Sequence, residues 1–92
     1  MTTSYPAVLQ GVLTTIDGFR SRTVSLDDMQ KALWEAASTI SLPQERHLMH
    51  QLQSAEADLE RIRFMTDPAD ILAEAESVLR IVEARLKEAL LP

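Results

Sequence analysis

Residues 41–70 read SLPQERHLMHQLQSAEADLERIRFMTDPAD, and this stretch decides the fold. Leu48, Leu52, Ala55, Leu59 and Ile62 recur at intervals of four, three, four and three, the seam of a helix packed along one side. Helix-start signals stand at both of its ends. At Ser41-Leu42-Pro43-Gln44 and at Asp67-Pro68-Ala69-Asp70 a short polar side chain can accept from an orphan backbone N–H, and a polar or acidic residue follows three positions on. Pro68 closes the stretch, because the residue before a proline avoids helical geometry. The pattern predicts a helix over 42–65.

Downstream, Leu72, Ala75, Leu79, Val82, Leu86 and Ala89 repeat the same intervals, widened by Ile71, Val78 and Ile81, and predict a helix over 68–90. Glu76 to Arg80 and Glu83 to Lys87 are favourable i,i+4 pairs on it. Upstream, Ser25-Leu26-Asp27-Asp28 is a third start signal, with Val24 and Met29 at the positions of a hydrophobic staple. It opens a helix over 26–39 whose buried face is Leu26, Met29, Leu33, Ala36, Ala37 and Ile40, with Trp34 reading as core at the edge. A first helix over 6–17 starts at Pro6, where a missing N–H costs nothing, and carries Val8, Leu9, Val12, Leu13 and Ile16. Gly18 is its expected left-handed stop, with Phe19 folding back on Leu13. Gly11 weakens the helix unless it serves a close approach.

These elements make an all-α, four-helix bundle-like fold spanning residues 1–92. A long antiparallel hairpin (helices 3 and 4) is flanked by a shorter one (helices 1 and 2). Aromatic residues are few: Tyr5, Phe19, Trp34 and Phe64. The core is therefore aliphatic, as suits helices better than strands.

The chain carries a net charge of −5, which argues against nucleic acid as a partner. With no cysteine it has no disulfide, no thiolate metal ligand and no thiol nucleophile. Met1-Thr2-Thr3-Ser4-Tyr5-Pro6 has neither a basic region nor a sustained apolar run, so the expectation is a cytoplasmic protein with no membrane span.

Motifs that carry chemistry are weak. His47 and His50 stand three apart, whereas a helical two-histidine zinc pair uses i,i+4, so the expectation is solvated surface and no metal. His50-Gln51-Leu52-Gln53-Ser54-Ala55 resembles the phosphoacceptor segment of histidine phosphotransfer domains, four-helix bundles that read His-x-Leu-Lys-Gly. The resemblance covers six residues and implies a phosphoacceptor role for His50. Gln53 replaces the lysine that steadies the phosphate, and Ser54 the glycine that leaves room for the partner. Glu56, Asp58 and Glu60, followed by Arg61 and Arg63, read as a solvated face. No cofactor and no catalytic set is expected, and the chain is not read as an enzyme.

Helix lengths suggest where a partner binds. Helices 1 and 2 are too short to cover the long hairpin, so its tip, with Ile62, Phe64, Met65, Ile71 and Leu72, is expected as an apolar contact patch. In the alternative, helix 3 bends and the tip folds back on helix 1 or the Arg20–Val24 linker. Asp67, Asp70, Glu74 and Glu76 adjoin the tip and would meet a basic protein, as in a small acidic inhibitor, an immunity protein or an antitoxin. The other readings are a self-associating adaptor bundle acting as a homodimer and the phosphotransfer domain.

Overall fold

The computed structural model describes residues 3–92. Four helices follow in order: α1 (Pro6–Arg20), α2 (Leu26–Thr39), α3 (Arg46–Met65) and α4 (Ile71–Leu90). A 3-10 turn over Pro43–Glu45 leads into α3. The helices run up, down, up and down. Helix α1 packs on α2 and α4, and α3 packs on the same two, so the four close into a ring with no diagonal pair among the described residues. The all-helical, four-helix expectation holds. The closure of α1 against α4 goes beyond a short hairpin lying beside a long one.

The seam residues form the core. Leu48, Leu52, Ala55, Leu59 and Ile62 of α3 meet Ala75, Leu79, Val82 and Leu86 of α4, all buried. Leu9, Val12, Ile16 and Phe19 of α1 and Met29, Leu33, Ala36 and Ala37 of α2 complete it, with Ile40 beyond. Each fully buried leucine contributes roughly 1.5–3 kcal/mol of transfer free energy. Leu26 is only half-buried. Trp34 is 58 % exposed, so it does not belong to the core. The buried stripe of α2 is Met29, Leu33, Ala36 and Ala37, and the indole, one position along from Leu33, is left on the outer face.

The start signals differ in how they are used. Ser25 accepts from the Asp28 backbone N–H at 3.1 Å, and α2 begins at Leu26 as expected. Ser41 does not cap α3. Its hydroxyl lies 3.4 Å from the Tyr5 hydroxyl, and the chain passes through the 3-10 turn before becoming α-helical at Arg46. Asp67 accepts from the Ala69 N–H, and its carbonyl accepts from the Asp70 N–H, so residues 68–70 form a turn and α4 starts at Ile71 rather than Pro68.

The end of α1 corrects another expectation. Gly18 is helical and has no positive φ, and α1 continues to Arg20. The left-handed residue is Arg22, at φ 65°. Thr23 N–H donates to the Gly18 carbonyl and Arg22 N–H to the Phe19 carbonyl, which is the Schellman pairing. Gly18 is needed for a different reason. A Cβ there would stand 2.6 Å from Cγ2 of Val24, the residue folded back over the helix end. Gly11 faces open space and serves no close approach.

The three positions give opposite expectations in urea unfolding. Gly11→Ala raises stability by about 0.5–1 kcal/mol through helix propensity. Arg22→Gly raises it by about 1 kcal/mol by relieving the left-handed conformation. Gly18→Ala lowers it by about 1–3 kcal/mol through overpacking against the stiff Val24 side chain. A stabilising Gly18→Ala would show that Val24 moves aside freely.

Candidate functional site

The tip of the α3·α4 hairpin is set by where α2 begins, two residues before the end of α3. Helices α3 and α4 have 20 residues each, α1 has 15 and α2 has 14. The Asp27 carboxylate on the first turn of α2 pairs with Arg63, so α2 begins beside the last turn of α3. Beyond that level α3 and α4 have only each other. Phe64 is 74 % exposed, Met65 79 % and Leu72 48 %. The Arg63 guanidinium lies 5.9 Å from the centre of the Phe64 ring, within cation–π range. The Thr66 hydroxyl donates to the Glu74 carboxylate and ties the two sides of the turn together.

The predicted tip set divides. Phe64, Met65 and Leu72 are at the surface, with the exposed carboxylates of Asp67, Asp70 and Glu74 around them. Ile62 is buried at 6 % exposure and belongs to the core, because its seam position still faces α2 and α4. Ile71 is half-buried and packs against the core. Glu76 is turned away from the tip toward α1, where Arg20 binds it.

Arg20 is the main ionic tie between α1 and α4. Its Nε donates to both oxygens of Glu76 at 3.0 and 3.1 Å, and its terminal nitrogens donate to Glu83 at 2.7 and 3.2 Å. These bonds hold the Glu83 carboxyl below the ordinary carboxylate range against the opposing push of its burial, and raise the Arg20 pKa. The expected i,i+4 pairs are present, Glu76 with Arg80 at 4.0 Å and Glu83 with Lys87 at 3.7 Å.

Two buried polar groups were not legible as such in the sequence. Gln30 of α2 is 6 % exposed. Its Nε2 donates to Glu60 and Glu56, and its Oε1 accepts from Arg63 Nη1. The expected solvated run at 56–60 therefore partly faces α2. At the opposite end of the bundle the Glu45 carboxylate, also buried, accepts from the Thr3 hydroxyl and the Ser4 N–H. Burial pushes its pKa up, but those hydrogen bonds pull harder and leave it below the ordinary value. Nearby, the Tyr5 hydroxyl accepts from the Ser41 and Leu42 N–H groups and secures the junction into the 3-10 turn. No short-range sequence signal marks either cluster, since the partners lie 26 to 42 residues apart.

His47 and His50 are exposed on α3, as are Gln53 and Ser54 beside them. Among the described residues no group of three or more metal-capable side chains gathers, and no helix is long and apolar enough to cross a membrane. No protein-family model, curated protein or solved structure matches the chain.

Glu45 and Glu83 both titrate below the reference value of 4.5 in the folded state. Their stabilisation is complete above pH 4.5 and is lost as pH falls through their folded pKa values. The thermal midpoint should be flat from pH 7 to about 5 and then drop. Glu83→Gln should lower the neutral-pH midpoint and make the acid drop shallower, as measured by circular dichroism melts across this range.

Proposed function

We propose that the protein is a non-enzymatic interaction module that binds a basic protein partner through the hairpin tip, in the manner of a small acidic inhibitor such as an immunity protein or an antitoxin. The observation that carries this reading is the tip itself. Three large apolar side chains, Phe64, Met65 and Leu72, share one end of the bundle with Asp67, Asp70 and Glu74. None of these three carboxylates enters an ion pair among the described residues.

An apolar patch rimmed by unneutralised charge of one sign suits a protein interface. The aromatic ring and the thioether supply desolvation energy, and the rim supplies orientation and encounter rate. Charge also selects the partner. A second copy docked tip to tip would set Asp67, Asp70 and Glu74 against their own images, whereas a basic surface neutralises them. The chain's net charge of −5 adds long-range attraction to the same partner.

The test uses the intact chain immobilised and challenged with lysate of its native host, followed by binding kinetics on the basic protein retained. Asp67→Lys/Asp70→Lys should slow association by about tenfold at low salt, with the difference shrinking as salt rises. Phe64→Asp should abolish retention yet leave the thermal midpoint within a few degrees, because the ring is already in solvent. Unchanged binding by both variants at every ionic strength would overturn the proposal. A large fall in midpoint for Phe64→Asp would return the ring to the core.

A further inference from the structure

Helices α3 and α4 each carry a second seam flanking the core seam, about a quarter turn round the helix. On α4, Glu74, Val78, Ile81 and Arg85 follow at intervals of four, three and four, and on α3, Ser54, Asp58, Arg61 and Met65 at four, three and four. The two seams bound a groove along the outer face of the hairpin. Its middle lies between Ser54, Ala55 and Asp58 on one wall and Ser77, Val78 and Ile81 on the other. Beyond Ser77 it continues between Arg61 and Met65 on one side and Glu74 on the other. Ile81, at its centre, is 66 % exposed.

The geometry points to a second copy of this chain as the occupant of the groove. Two α3·α4 hairpins pack face to face about a two-fold axis that crosses the helices, so that α4 lies antiparallel to α4 of the copy. The order of residues along each seam supports this choice. When α4 is reversed about the midpoint between Val78 and Ile81, Ile81 meets Val78 of the copy and Arg85 meets Glu74. When α3 is reversed about the midpoint between Asp58 and Arg61, each of these meets the other. Every charged level then faces the opposite sign, as an isologous interface requires. Both midpoints sit within about one helical turn of the same level, since Asp58 shares its stretch of groove with Val78 and Ile81. The small side chains of Ser54, Ala55 and Ser77 leave room for helices to approach at the usual ~8–10 Å. The tip has no such self-complementarity; Met65 and Glu74 stand at the border of the two surfaces, and pairing through the groove leaves Phe64, Asp67, Asp70 and Leu72 of both copies outside the seam.

Sedimentation of the intact chain over a rising concentration series tests this. The weight-average mass should climb from 10.3 kDa toward twice that value. Ile81→Asp should hold it at the monomer. Glu74→Arg and Arg85→Glu should each weaken dimerisation by about tenfold or more, and the double variant Glu74→Arg/Arg85→Glu should restore it. These side chains are at the surface, so circular dichroism should show every variant folded. Phe64→Asp should remain dimeric. A wild-type chain monomeric at all concentrations, a double variant no better than its parents, or loss of the dimer in Phe64→Asp would each overturn the inference.

Discussion

The contact between α1 and α4 is the constraint on which the bundle depends. With no diagonal helix pair among the described residues, each helix is held by its two neighbours, and the ring closes where the first and last helices meet. Leu9, Val12, Ile16 and Phe19 supply the apolar part of α1's buried face. The polar part is directional. Arg20 engages two carboxylates one heptad apart on α4, Glu76 and Glu83, which sets the register of the helices. At the other end Thr3 donates from its N–H to the Ala89 carbonyl and from its hydroxyl to buried Glu45 at the start of α3. The α1–α4 seam is thus tied at both ends and packed between, and without it Leu79 and Leu86 would lose one wall of their enclosure.

The tip follows from where that ring ends. Asp27 on the first turn of α2 pairs with Arg63, so Phe64 and Met65 of α3 and the turn into α4 lie beyond α2. An all-polar sequence there would have been the simple solution. Instead the chain places Phe64, Met65 and Leu72 at that level and carboxylates around them. Exposed apolar area of this kind costs solubility unless a partner covers it, which is why it reads as a contact surface.

Residue placement also separates two kinds of polar group. Gln30, with Glu56, Glu60 and Arg63, bridges α2 and α3 with its hydrogen-bonding capacity used, so it specifies how those helices sit rather than offering a site. Asp67, Asp70 and Glu74 form no ion pair among the described residues. The difference is one of position along the bundle rather than of composition, and counts of charge do not disclose it.

How much was legible in the sequence depends on the range of the interaction. The four helices, the seam residues of α3 and most of α4, and the Ser25 cap follow from local causes: the 3.6-residue period selects one face, and capping acts within three residues. The broad location of the tip was legible too, because it is the turn between two helices that the sequence marks. Its composition was only partly so. Ile62 keeps its seam contacts, and Glu76 is drawn to Arg20, 56 residues away. Gly18 illustrates the boundary well. Glycine near a helix end suggests a left-handed stop, yet the left-handed residue is Arg22, and Gly18 is small because Val24 packs on it. Trp34, Gln30 and Glu45 were misread or unread for the same reason. By itself the sequence determined which segments are helical and which face of each is apolar, since those depend on neighbours in the chain. Only the tertiary structure decided which polar groups are buried and which carboxylates stay free, since burial and pairing are properties of the space between helices.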